Sequence, residues 1–250
     1  MAPSVEYSLS GGIGCIHLNR PERLNAVTPT LVDDLVTAFD QAQSDYAQAV
    51  VLAGRGTSFC AGWDLKEPPI EETHDEARVR LQRLQDVTRR ATDFPGPIIA
   101  AVHGYALGAG AEFALSADLV VAGADAVFGF PEVGVGLSGT NGSSYLLPRA
   151  IGLARAKELV FLGERFDAER AHAMGLVMRV VPPGAHEVAA FELAERLLTK
   201  PPVALQIAKQ LLDHGHQSTL AQALDAEVDA ALNTLDTDEN ADAAARFNRR

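Results

Sequence analysis

The sequence predicts an α/β fold that ends in a helical tail. Strand-like and helix-like runs alternate up to about residue 181. Several strand-like runs, such as Ala49–Ala53 and Pro97–Val102, are apolar throughout, as strands covered on both faces are. After Pro182-Pro183-Gly184 the chain is nearly all helical.

The elements follow in order. Residues 4–9 and 13–19 read as two strands around the turn Ser10-Gly11-Gly12. Arg20-Pro21-Glu22 breaks that pattern. Thr28-Pro29 reads as an N-cap with proline at the first helical position, and the helix beyond places Leu31, Leu35, Ala38 and Phe39 on one face. A strand over 49–53 ends at Gly54-Arg55-Gly56. Residues 72–93 alternate charges with Val79, Leu81, Leu84 and Val87, an amphipathic helix. A strand over 97–102 turns at His103-Gly104 into a small-residue helix over 108–116. A strand over 119–122, helices over 141–149, 152–161 and 167–173, and a strand over 177–181 come next. The tail divides into helices over 186–199, 202–213 and 218–235 and a frayed end, and it reads as a docking or oligomerisation element.

Composition excludes several classes. With 47% hydrophobic and 22% charged residues in 250, the chain is globular rather than disordered. A net charge of −12, with no Lys/Arg-rich block, argues against nucleic acid as a partner. The helix after Thr28 carries Asp33, Asp34 and Asp40 and no cation, so it offers no RNA surface. Two cysteines, Cys15 and Cys60, make neither a disulfide framework nor a zinc cluster. No leader pattern and no membrane-length apolar run is visible, so the expected setting is cytoplasmic.

The usual motifs are missing. There is no GxxxxGK[ST] loop and no HExxH site, and the seven histidines lack ligand spacing, so no metal is expected. Gly108-Ala109-Gly110 begins like a dinucleotide fingerprint, but Phe113 occupies the third glycine's place. Gly136-Leu137-Ser138-Gly139 misses the spacing of a nucleophile elbow. Cys60 has no visible base and reads as a small buried residue.

Two segments carry chemistry: Ser58–Glu67, and Ile99–Leu115. In the second, a helix opens among small residues. Its first N–H groups are unpaired and carry partial positive charge, and small side chains let a ligand approach them. Such a start suits an oxygen that gains negative charge. The Ala61-Gly62-Trp63 turn is the candidate for a second donor. Glu112 follows one turn into that helix, and Glu132 follows the apolar run Phe128-Gly129-Phe130-Pro131. Carboxylates in apolar surroundings are suited to proton transfer near neutral pH. The residues alone leave a second reading open, in which Glu112 is an ordinary solvated or capped helix residue.

The strings NRPERLNAV, FCAGWDLKE, IAAVHGYALGAGAEFALSADLVVAGADAVFGFPE and AHAMGLVMRVV closely resemble the crotonase superfamily, the enoyl-CoA hydratase/isomerase family, over about residues 5–182. The resemblance implies a spiral of ββα units over residues 1–185, which carries the active site, and a helical C-terminal region over 186–250 that builds homotrimers or homohexamers. It implies an acyl-CoA substrate and no cofactor. It implies an oxyanion hole from the backbone N–H groups of Trp63 and Ala109, with the tryptophan side chain free to reshape the acyl pocket. Glu112 and Glu132 have the twenty-residue spacing of the hydratase branch, in which Glu112 activates water and Glu132 supplies the proton to the α-carbon. The activity implied is addition of water to a trans-2-enoyl-CoA. Arg23 and Leu24, with Ala61, Asp64, Leu65 and Lys66, match CoA-contacting positions. Two departures stand out. Leu137–Ser144 replaces the Pro-Gly-Ala-Gly-Gly-like stretch beside the acyl group, and His103 replaces a common asparagine. The first keeps another reaction of the family in view, namely double-bond isomerisation, dehydration of an unusual acyl-CoA or thioester hydrolysis, and a non-catalytic binding role is the remaining alternative.

Overall fold

The computed structural model describes residues 3–68, 71–215 and 217–235. The frayed end expected beyond residue 235 lies outside the described residues. Strands β1 (Val5–Ser10), β2 (Ile13–Leu18), β3 (Ala49–Gly54), β4 (Ile98–Val102), β6 (Leu119–Gly123) and β9 (Arg179–Val181) form one sheet in the order β1-β2-β3-β4-β6-β9. Only the β1–β2 hairpin is antiparallel. A second sheet, β5-β7-β8, consists of β5 (Tyr105–Leu107), β7 (Val127–Gly129) and β8 (Phe166–Asp167).

The chain visits the two sheets in turn. It leaves β4 for β5 and then forms helix α3 (Ala109–Leu115); it leaves β6 for β7 and then reaches the 3-10 turn Glu132–Val135. Each circuit is a strand in the large sheet, a strand in the small one and a helical segment. That is the ββα spiral the family resemblance implied. The second sheet was not expected, because strands of two or three residues carry no readable alternation.

Both faces of the large sheet are covered, which is why its strands are apolar throughout. Ile16, Leu18, Val50, Leu52, Ile98, Ala100, Val102, Val120 and Ala122 enter the main core. Their alternate neighbours Ile13, Cys15, Ala49, Val51, Ala53, Ile99, Ala101 and Val121 face α7 (His186–Leu198). Small residues dominate that second interface on both sides, with Ala189, Ala190 and Ala194 on the helix, so helix and sheet approach closely. The first face is covered by α1 (Pro29–Ser44), capped by Thr28 at Leu31 N–H, and by α2 (His74–Asp93), which a Thr73–Glu76 capping box starts.

The rest is helical. Helices α4 (Ser143–Ile151), α5 (Leu153–Leu162) and α6 (Ala168–Met174) precede β9, and α8 (Pro202–Gly215) and α9 (Leu220–Leu235) pack on each other after α7. No helix among the described residues is long and apolar enough to cross a membrane.

Candidate active site

The site is assembled where three loops converge on the start of α3. The first loop follows β2. It makes two consecutive left-handed residues, Leu24 (φ 52) and Asn25 (φ 55). Asn25 is fully buried, and its side chain holds the turn: Oδ1 accepts from Arg20 N–H at 2.8 Å, and Nδ2 donates to the carbonyls of Arg55 and Ser58. Asparagine is among the few residues that tolerate this conformation.

The second loop, Cys60–Lys66, is zipped to the first. Ala61 N–H donates to Leu24 O, Val27 N–H to Gly62 O, and Asp64 N–H to Val27 O. Asp64 is 4% exposed and locks the pair. Its carboxylate accepts from Arg23 at 2.7 and 3.2 Å, from Arg20 at 3.2 Å and from Lys66 N–H at 3.1 Å. Burial pushes Asp64 upward, but the Arg23 bonds, the Lys66 N–H and Arg20 together hold its carboxyl below the usual range. All six positions matched to CoA contacts therefore fall in one neighbourhood. Arg23 and Asp64 bind each other, while Leu65 (70% exposed) and the Lys66 side chain face solvent.

Glycines bring the second loop against the third, Leu107–Ala109. Gly62 has φ 88, and a Cβ there would lie 2.7 Å from Leu107 O. A Cβ on Gly110 would lie 2.2 Å from Cys60 O, so no other residue lets α3 seat on this loop. Trp63 and Ala109 thus each follow a glycine, Gly62 and Gly108, that packs against the other. Neither Trp63 N–H nor Ala109 N–H has a hydrogen-bond partner among the described residues. Two free donors side by side suit an oxygen that gains charge. The Trp63 ring stacks with the Arg80 guanidinium 5.1 Å from its centroid, and Arg80 is held by Glu72. Two clefts meet at this ring. One of about 560 Å³ lies between α1 and α2 on an apolar floor of Val32, Val79 and Leu84. The other, about 1070 Å³, borders Arg20, Asp64 and Leu65. Glu112 and Glu132 line neither.

The Glu132 carboxyl also lies beside Gly108. Glu132 opens the 3-10 turn, and its Oε1 would be 3.2 Å from a Cβ on Gly108. Burial, opposed by a bond from its own N–H and aided by the negative charge of Glu112, raises the Glu132 pKa. That mutual repulsion places the two carboxylates within each other's field. Glu112, 1% exposed in α3, accepts at Oε1 from Thr140 N–H at 3.1 Å and from Ser143 Oγ at 2.7 Å. It is a buried, bonded carboxylate, not a solvated helix residue. Cys60 is fully buried, and burial pushes its thiol up to about 12, so it supplies no thiolate. Among the described residues, no group of three or more His, Cys, Asp or Glu is arranged to hold a metal ion.

The sequence profile of the family described as "Enoyl-CoA hydratase/isomerase" matches residues 8–250. The chain belongs to the enoyl-CoA hydratase/isomerase family. It is 36% identical over 242 residues to the human "Enoyl-CoA hydratase domain-containing protein 2, mitochondrial", covering 94% of this chain and 82% of that one. It is 34% identical over 239 residues to the "Short-chain-enoyl-CoA hydratase" of Clostridium acetobutylicum, covering 95% and 91%. The "1,2-epoxyphenylacetyl-CoA isomerase" of Escherichia coli is 36% identical over 222 residues, covering 87% and 85%. The crystal structure of an enoyl-CoA hydratase from Bacillus anthracis superposes with a TM-score of 0.93 at 30% identity, covering 98% and 96%. The fold is therefore the crotonase fold. Sequence reasoning did not single out Asn25, Arg20, Thr140 or Ser143 within this family's site. The signal for Asn25 was an asparagine inside a break between strand and helix; the other three act through partners 28 to 44 residues away, which no local pattern announces.

Proposed function

We propose that this family member adds water to a trans-2-enoyl-CoA to give a 3-hydroxyacyl-CoA. The observation that carries the reading is the double use of Gly108. It precedes the free Ala109 N–H, packs against Gly62 before the free Trp63 N–H, and has the Glu132 carboxyl beside it as well. A thioester carbonyl bound to both donors would have its α-carbon beside Glu132.

In this reading the thioester oxygen accepts from Trp63 N–H and Ala109 N–H, and the negative charge that develops there is stabilised. Glu112 takes a proton from water as the oxygen bonds to the β-carbon. The electron pair of the double bond moves toward the thioester as an enolate. Glu132, whose raised pKa keeps its proton available, delivers it to the α-carbon. The addition is redox-neutral and needs no cofactor beyond the CoA of the substrate. Arg23, Leu24, Ala61, Asp64, Leu65 and Lys66 shape the CoA side. The apolar tail helices serve assembly into a trimer or a pair of trimers: Leu212, Leu220, Leu224, Val228 and Leu232 are all more than half exposed, and light scattering of the purified protein reads the outcome.

The second reading is another reaction of the family. It is supported by the isomerase-named relative, 36% identical, and by the Leu137–Ser144 departure. Loss of enoyl-thioester absorbance with crotonyl-CoA and longer enoyl-CoAs decides between them. Activity that Glu112→Gln and Glu132→Gln each lower about 100- to 10,000-fold, leaving a measurable residue, supports hydration. Full activity in both variants would refute the mechanism, and a wild-type protein inert on every enoyl-CoA would refute the assignment.

A further inference from the structure

Glu112 is gripped at one oxygen. Oε1 accepts both from Thr140 N–H and from Ser143 Oγ, while no described residue bonds Oε2. Gly139 closes the same side, since a Cβ there would lie 3.1 Å from Oε1 and 2.3 Å from Ser143 Oγ. A serine at a helix start ordinarily caps its own helix. Ser143 does not: the N-cap of α4 is Gly142, no side chain caps that helix, and the buried Ser143 hydroxyl spends its one hydrogen on a carboxylate of α3, 31 residues back. The residues that precede Glu112 in its own helix, Ala109, Gly110 and Ala111, carry side chains too small to pack along it.

We propose that Ser143 is a positioning residue for the reaction: it fixes the Glu112 carboxyl plane so that Oε1 is occupied and Oε2 is presented to the attacking water. This rests on the hydratase reading above. It gives the Leu137–Ser144 departure a purpose, since the altered stretch supplies both donors to Glu112. A glycine at position 143 would leave only the Thr140 N–H.

The test uses Ser143→Ala, Ser143→Cys, Glu112→Gln and the double variant Glu112→Gln/Ser143→Ala, with kcat and KM measured on the enoyl-CoA the wild type turns over best. Loss of an orienting contact misplaces the base, and a misplacement near 1 Å costs about 100-fold; with Thr140 N–H still in place, Ser143→Ala lowers kcat about 10-fold with KM within about twofold. Ser143→Cys keeps the volume but donates weakly, so it shows the same loss. In the Glu112→Gln background, Ser143→Ala changes kcat no further. Wild-type kcat in Ser143→Cys overturns the proposal, because volume alone then suffices. An undiminished effect of Ser143→Ala in the Glu112→Gln background also overturns it, because Ser143 then acts elsewhere. An active wild type with either result leaves the hydratase reading standing. A wild type inert on every enoyl-CoA removes that reading and this one together.

Discussion

Gly62→Ala separates the backbone donors from the rest of the fold. Gly62 holds φ 88, where an L side chain is strained by about 1–2 kcal/mol. The added Cβ would also stand 2.7 Å from Leu107 O, whereas ordinary contact begins at 3.4 Å. The Cys60–Lys66 loop must therefore back away from Leu107–Gly108 by about 0.7 Å, the difference between those distances. That motion carries Trp63 N–H away from Ala109 N–H. Removal of one oxyanion donor costs about 100- to 1000-fold in kcat, and a shift approaching 1 Å costs about 100-fold. The expected result is a kcat about 100-fold lower. The melting temperature falls by only about 2–8 °C, as about 1–2 kcal/mol gives in a chain of this size. Hydration of crotonyl-CoA followed by thioester absorbance reads the first, and scanning fluorimetry the second. A Gly62→Ala protein that melts lower yet keeps kcat within about threefold of wild type would show that the paired N–H groups do not bind the reacting oxygen.

Three further outcomes follow from the charges. The folded state raises the Glu132 pKa above 4.5, so the stability this group confers is present below 4.5 and is lost as pH rises through the raised value. Glu132→Gln is accordingly more stable than wild type at pH 8 and far less active; a lower melting temperature at that pH refutes the assignment of strain to this carboxylate. His186 is buried and stacked on His103 at 4.3 Å, and burial, then His103, lower its pKa below 6.5 against the opposing pull of Glu187 and Asp125. Its neutral form is favoured in the fold, so stability falls as pH drops below 6.5; His186→Phe, which retains the stack, shows a smaller loss of melting temperature between pH 7.5 and 5.5, and an equal loss counts against the argument. Asp64 is held below 3.8, so its stabilisation is present above that value and lost on further acidification. Asp64→Asn weakens the bonds to Arg20 and Arg23 and frees the loop that carries Trp63; KM for the enoyl-CoA rises several-fold, and an unchanged KM argues that Arg23 and its loop are not on the CoA side.

Much of the fold was legible because burial writes itself into long elements. The two-sided apolar strands β3 and β4 and the one-sided helices α1 and α2 were placed to within two residues. The short strands β5, β7 and β8 were not, since each is fixed by pairing across the spiral rather than by its own two or three residues. The site divides in the same way. Glu112 and Glu132, with Trp63 and Ala109, were read from motif and spacing. Arg20, Asn25 and Ser143 were not singled out, because their chemistry lies in a partner elsewhere in the chain.

The sequence alone determined the α/β class, the order of the long elements and the family resemblance, and it singled out Glu112 and Glu132 as candidate carboxylates, because these depend on local periodicity and on residue type at fixed separations. The tertiary structure alone decided that Asp64 turns inward to bind two arginines, that Gly62 and Gly108 set two free N–H groups side by side, and that Glu112 is held at one oxygen by Thr140 and Ser143. Such arrangements depend on ångström-scale approach between segments tens of residues apart, and only the packed chain brings those segments together.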